Sequence, residues 1–287
     1  MEFLTQVVAG LVTQLAGTNS VFALYNAEGS THLEALKLSS TISVISNPKQ
    51  SATVDKFSKE KEDLVFALQW CYKKKARYTV IFEDDALPLP YFMTRLQFIL
   101  KQRMPHYKQD WAFLKLFYPP KWQGWSNELH IIKELILTSL IGSFVLTSVA
   151  YFVQIVCKNR HTNYPKKCDL ILLVTLSFIF SMYTLWTLGR PHWLVLLGNI
   201  SFHFNFIVPA PGCCTPAVLY PQEHISNLIN YLNSVTCSLS FPVDIALDTF
   251  VMKQGLKQLM VVPDLIKHIG FVSSLGKGWK DPIEFRF

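Results

Sequence analysis

The sequence predicts an α/β fold with a largely parallel sheet, interrupted by a hairpin of two membrane-spanning helices. Short apolar segments typical of strands alternate with amphipathic segments typical of helices on both sides of the centre of the chain. The centre contains two uncharged stretches, residues 135–157 and 170–189, each of which reaches the roughly 20 residues needed to cross a bilayer. Neither flank holds a complete α/β pattern, so we expect the two flanks to build one domain.

Apolar periodicity defines the elements before the hairpin. Residues 3–15 and 61–73 carry apolar side chains every three to four positions, and acids occupy the first turn of the second stretch, as a helix favours. Runs of apolar, aromatic and β-branched residues between turn signals predict strands. The predicted helices are 3–15, 30–39, 61–73 and 91–103, and the predicted strands lie within 21–29, 41–46, 79–82 and 111–117.

The same alternation resumes after the hairpin. Residues 227–235 and 242–255 are predicted helices, and residues 256–262 are a predicted strand. The predicted domain organisation is therefore a first part at 1–130, a hairpin at 131–190 and a second part of the same domain at 191–287.

The connector of the hairpin, residues 158–169, predicts its orientation. Short loops rich in Lys and Arg stay cytoplasmic, so both flanks are expected on the opposite side of the membrane. The alternative is a pair of helices buried in a soluble core. The charged residues of the connector are Lys158, Arg160, Lys166, Lys167 and Asp169.

Charge and cysteine content narrow the function classes. The net charge is +7, and four of the basic residues lie in the connector. The sequence contains no known nucleic-acid-binding module, so no nucleic-acid partner is expected. Cys71, Cys213, Cys214 and Cys237 would face an oxidising compartment, where one or two disulfides are expected with a pairing that the sequence leaves open.

Three adjacent acids, Glu83, Asp84 and Asp85, follow the predicted strand in "TVIFEDD". Ligands of open α/β sheets bind beyond the carboxyl ends of strands, and one or two carboxylates with phosphate oxygens suffice for Mg²⁺ or Mn²⁺. The acids therefore predict a divalent-cation site that is completed by a substrate. The alternative is an acidic loop that caps the following helix.

The sequence resembles metal-dependent GT-A-type (Rossmann-like) glycosyltransferases, whose aspartate-rich motif is similar to "FEDDALP". The blocks "EDD", "PVDIALD" and "PDLIKHIGFVSSL" resemble the N-acetylglucosaminyltransferase IV group. The inserted hairpin is instead similar to the Golgi family that adds N-acetylgalactosamine to GPI anchors.

The resemblance implies an inverting transfer of N-acetylgalactosamine from UDP-GalNAc to a mannose of the glycan of GPI-anchored proteins. It implies a multi-pass Golgi membrane protein with luminal catalytic parts. Asp85 would contact Mn²⁺ (or Mg²⁺), and Glu83 and Asp84 would position the ribose, the sugar or metal-bound water. His268 is similar to a histidine that completes metal or diphosphate binding in such enzymes; otherwise it is a core or helix-end histidine.

Asp244 and Asp248 lie four residues apart in "PVDIALD" and therefore on one helix face. An inverting transferase needs a carboxylate to accept the proton of the acceptor hydroxyl. Either acid fits this role, and Asp244 at the helix start is slightly favoured. The alternative is a solvated helix turn.

Members of such families carry a signal anchor and a first strand ahead of the helix at 3–15, and we expect both to be missing from this sequence. The alternative functions are therefore a catalytically impaired membrane scaffold, or an N-acetylglucosaminyltransferase of the IV type. A transporter is disfavoured because the two spans contain no charge and no repeat.

Overall fold

The computed structural model describes residues 3–28, 32–47, 55–108, 110–120, 123–157 and 167–270. Residues 158–166 of the predicted connector and the "FVSSL" end of the last motif lie outside the described residues. The chain forms two compact units. The first takes its residues from Met1–Pro119 and Ile200–Arg286, and the second from Pro120–Asn199.

Both units are built from helices, and the first unit also contains short strands. In chain order they are α1 (Phe3–Leu15), β1 (Leu24–Tyr25), α2 (Leu33–Leu38), β2 (Val44–Ile45), α3 (Lys56–Lys73), β3 (Tyr78–Phe82), β4 (Ala86–Pro88), α4 (Phe92–Phe98), β5 (Trp111–Lys115), α5 (Leu129–Cys157), α6 (Lys167–Leu188), α7 (Arg190–Ile200), β6 (Phe206–Pro209), β7 (Ala217–Pro221), α8 (Gln222–Ser234), α9 (Val243–Gln254), β8 (Lys257–Val262) and β9 (Ile266–His268).

The first unit is built on a five-stranded sheet with the order β3-β7-β5-β8-β6. Only β5 and β8 pair in parallel, and the other neighbours are antiparallel. The α/β fold is confirmed, but the expectation of a largely parallel sheet is wrong, since the sheet is mixed. The difference comes from β7 and β6, two short strands without a clear alternating pattern. β7 lies between β3 and β5 and pairs antiparallel with both, and β6 pairs antiparallel with β8 at the edge of the sheet.

The sheet is buried on both faces, so alternate side chains of one strand enter different cores. Leu114 and Leu219 pack with residues of α1 and α4 in one core. Phe113 and Tyr220 pack with residues of α3, α8 and α9 in the other. Lys115, two residues after Phe113, therefore lies on the α9 side of the sheet.

The second unit contains the two long apolar helices α5 and α6. The stretches Leu129–Val153 and Leu170–Leu188 have a mean hydropathy of 1.9 and are long enough to cross a membrane. Only 11% and 17% of their most apolar windows is buried, whereas a core helix of a soluble protein would be mostly buried. Small residues bring the two helices close, since a Cβ on Gly142 would lie 2.9 Å from Ser181 Oγ.

Candidate functional site

The acidic motif lies at the edge of the sheet where β3, β5 and β8, which run in the same direction, have their carboxyl ends. β3 ends at Phe82, and Glu83, Asp84 and Asp85 follow it directly. The backbone N–H of Glu83 donates to the carbonyl of Pro216 at 2.7 Å. This bond fixes the motif against the segment that precedes β7.

A small antiparallel ladder brings His268 to the acids. β4 follows the motif and pairs with β9 so that Ala86 lies opposite His268. The N–H of Ile269 donates to the carbonyl of Asp85 at 2.9 Å. His268 Nε2 is thereby placed 3.3 Å from Asp85 Oδ1.

Glu83, Asp85 and His268 form a triad, in which one ligand atom of each residue lies within 4.8 Å of the others. Two carboxylates and an imidazole are ligands that suit Mn²⁺ and similar divalent ions. Glu83 is exposed, Asp85 is half-buried and His268 is buried, so the triad is anchored in the fold and open to solvent on one side. Asp84 is exposed and lies outside the triad.

Two neighbours support the triad. The ring of Phe117 stacks on His268 with centroids 5.8 Å apart, which holds the imidazole in the core. Gly270 lies against Asp85, and a Cβ at this position would overlap the Asp85 carboxylate. The donor set and this close approach fit a bound divalent ion.

The second group of acids, Asp244 and Asp248, lies on α9 and faces the segment between β6 and β7. Asp244 accepts hydrogen bonds from the N–H of Cys214 at 3.2 Å and from Thr215 Oγ1 at 3.3 Å. The Asp248 carboxylate lies so close to Gly212 that a Cβ there would overlap it. The predicted helix and its shared face are observed, while the catalytic role of either acid stays a prediction.

A buried lysine lies beneath this segment. Lys115 is 1% exposed, and its Nζ donates to the carbonyl oxygens of Pro211, at 2.9 Å, and of Cys213. Burial lowers the pKa of Lys115, and the charges of Asp248 and Asp244 oppose that shift. Burial and the neighbouring charge of Asp244 raise the pKa of Asp248, while Lys115 counteracts them.

The segment itself is joined by a disulfide between Cys213 and Cys214, whose φ values of 78° and 65° lie in the left-handed region. Such values cost roughly 1–2 kcal/mol per residue, so surrounding contacts must hold them. Cys71 and Cys237 are free thiols. The expectation of one or two disulfides is thus met by this bond between two adjacent cysteines, a pairing that the sequence left open.

Comparison with known families shows the family of the chain. Residues 1–267 match the family described as GPI-N-acetylgalactosamine transferase PGAP4. The chain belongs to this family. The match spans both acid groups and ends one residue before His268, and it confirms the resemblance inferred from the sequence. A PGAP4-family chain is a glycosyltransferase whose acceptor lies on GPI.

Sequence reasoning missed three residues that line the candidate site. Lys115 is embedded in the apolar run "WAFLKLF", and a lone Lys on an otherwise buried strand face is the signal that could have found it. Thr215 and Gly212 give no signal of their own, because their role depends on α9, which is distant in sequence. In the structure, Glu83 lies with Asp85 and His268. The sequence resemblance instead groups Glu83 with Asp84, as residues that position the ribose, the sugar or metal-bound water.

Proposed function

We propose that this chain transfers N-acetylgalactosamine from UDP-GalNAc to a mannose of the GPI glycan. The observation that carries the proposal is the triad of Glu83, Asp85 and His268 at the carboxyl edge of the sheet in a chain of the PGAP4 family. Open α/β sheets bind nucleotides at this edge, and the triad provides the ligand types that a nucleotide-bound cation requires.

Asp85 and His268, supported by Glu83, would hold Mn²⁺ or Mg²⁺. When bound, the ion neutralises the charge that develops on the leaving diphosphate. Asp84 is exposed beside the triad and is proposed to contact the ribose, the sugar or metal-bound water. The donor is proposed to bind on the side of the triad where Glu83 is exposed.

Asp244 or Asp248 is proposed to accept the acceptor proton in an inverting displacement. The hydroxyl oxygen of the mannose forms a bond to the anomeric carbon while the bond from that carbon to UDP breaks. The hydroxyl proton passes to the carboxylate. Segment 214–216 supports a common site, because Cys214 and Thr215 bind Asp244 and Pro216 binds Glu83.

The helices α5 and α6 are proposed to form a transmembrane hairpin in the Golgi, with a cytoplasmic connector and luminal catalytic parts. Their exposed apolar surfaces suit a lipid environment. A chain held in the bilayer shares that bilayer with its lipid-linked acceptor, which raises the rate of encounter between them.

The test is a transfer assay with the detergent-solubilised full chain, UDP-GalNAc, Mn²⁺ and a GPI-anchored acceptor protein. The wild type should release UDP and label the glycan, and Asp85→Asn should reduce transfer by about 10³-fold, as expected when a charge-stabilising group is lost. Glu223→Gln, at an exposed position of α8, is the matched control and should retain activity.

Two outcomes would contradict the proposal. A preference for UDP-N-acetylglucosamine would favour an enzyme of the N-acetylglucosaminyltransferase IV type. A correctly folded chain that binds no UDP-sugar in the presence of Mn²⁺, measured by thermal shift, would favour a membrane scaffold.

A further inference from the structure

Lys115 is a charged residue in the centre of the fold to which the proposed reaction assigns no role. Lys115 is the last residue of β5, and only 1% of its surface is exposed. Burying an ammonium group is costly unless acceptors and opposite charges surround it. The contacts of Lys115 therefore indicate what the fold gains from this cation.

The segment Pro211–Thr215 lies between Lys115 and the acids of α9, and its peptide groups are oriented by both. The carbonyls of Pro211 and Cys213 accept hydrogen bonds from Lys115 Nζ. The N–H groups of Cys213 and Cys214 point the other way, to Asp248 and Asp244 respectively. The segment is thus held by a cation on its carbonyl side and by two anions on its amide side.

The charges around the acids are unbalanced without this lysine. Glu60 on α3 and the buried phenols of Tyr118 and Tyr220 also face Asp244 or Asp248, and none of these three groups carries a positive charge. Among the described residues, Lys115 supplies the positive charge that counteracts the raised pKa of Asp248. Two acids one helical turn apart repel each other, and a nearby cation offsets that repulsion.

We propose that Lys115 is a positioning residue for the proton-accepting carboxylate. Its ammonium binds the carbonyls of Pro211 and Cys213 and so holds segment Pro211–Thr215, which donates to Asp244, against α9. The inference rests on the proposed function, which assigns the base to α9. It predicts that the charge of Lys115, rather than its volume, sets the pH range in which the base is active.

The first experiment compares pH profiles of kcat/KM for the wild type, Lys115→Gln and Lys115→Arg. Gln can still donate to one carbonyl but carries no charge, so the acidic limb of its profile should move up by about one pH unit. Arg keeps the charge and should restore the limb to its wild-type position, even if its size lowers the rate. A lower rate in Lys115→Gln with an unmoved limb would overturn the proposal.

A second readout needs no transfer activity and so separates failure of this inference from failure of the proposed function. The unfolding midpoint of the full chain in detergent is measured between pH 5 and pH 8. In Lys115→Gln, Asp248 ionises without its neighbouring cation, so the loss of stability relative to wild type should grow with pH. A loss that is constant across this range would contradict the proposed charge pairing.

If Lys115→Gln fails to fold, the double variant Lys115→Gln with Asp248→Asn tests the proposal instead. Removal of both charges leaves no uncompensated ion, so the double variant should fold where the single variant does not. No recovery in the double variant would overturn the proposal and leave Lys115 with a packing role.

Discussion

The two acid clusters of the first unit are built in opposite ways. At the edge of the sheet, Glu83, Asp85 and His268 converge as candidate metal ligands, and the triad contains no Lys or Arg. On α9, Asp244 and Asp248 face a cation that the fold itself contains, Lys115. The difference fits the proposed roles, in which the first cluster binds an external ion and the second accepts a proton.

The two clusters share one support. Cys214 and Thr215, at the end of segment Pro211–Thr215, donate hydrogen bonds to Asp244, and the next residue, Pro216, accepts one from Glu83. Each cluster also touches one glycine, Gly270 for the first and Gly212 for the second. Variants that affect one cluster only are therefore available, and each serves as the control for the other.

The largest expected effect comes from the acids of the second cluster. Asp244→Asn or Asp248→Asn, whichever removes the base, should lower kcat by about 10²–10⁴-fold with little change in the KM for UDP-GalNAc. The other variant should have a clearly smaller effect. Steady-state kinetics at saturating Mn²⁺ measure both, and equal small losses in the two variants would show that the base lies elsewhere.

Gly270→Ala should selectively weaken the first cluster. The added Cβ overlaps the Asp85 carboxylate, so the ligand must rotate or the strand end must shift. Displacing a supporting contact of a metal ligand typically costs about 10–100-fold in metal affinity. Titration with Mn²⁺, followed by UDP release, should show this loss while the pH profile stays unchanged. An unaltered Mn²⁺ dependence would argue against Asp85 as a ligand.

Gly212→Ala should selectively disturb the second cluster. Its Cβ overlaps Asp248 Oδ2 and would push the carboxylate away from the amide groups of the segment. We expect a loss of about tenfold in kcat, since a misplaced catalytic group is tolerated better than an absent one. The Mn²⁺ titration of this variant should match the wild type. A parallel loss of Mn²⁺ affinity would mean that the two clusters are not independent.

The sequence predicts the acids of the first cluster for a physical reason. Glu83, Asp84 and Asp85 follow a strand directly, so one local pattern places them at the sheet edge. His268 reaches them only through the pairing of β4 with the distant β9, so the residues alone did not link it to the acids, and only the family resemblance did. Lys115 acquires its role from a segment almost 100 positions later. That contact depends on the antiparallel insertion of β7, which local periodicity does not encode.

The smallest expected effect concerns Glu60, which extends the second cluster from α3. Among the described residues its Oε2 is buried without a hydrogen-bond partner. Burial, followed by the charges of Asp244 and Asp63, raises its pKa from 4.5 to about 7. A carboxyl whose pKa is raised by folding stabilises the fold below its unfolded pKa, and this contribution is lost as the pH rises to about 7.

Glu60→Gln removes the charge that the folded chain disfavours. The variant should therefore gain little at pH 5 and gain about 1–3 °C in unfolding midpoint at pH 8, a modest shift because solvent still screens the side chain. Glu62→Gln, at an exposed position on the same helix, is the control and should leave the midpoint nearly unchanged at both pH values. A loss of stability in Glu60→Gln at pH 8 would show that Glu60 is ionised and paired. The second cluster would then have a second cation partner, and its contrast with the metal-type triad would no longer rest on Lys115 alone.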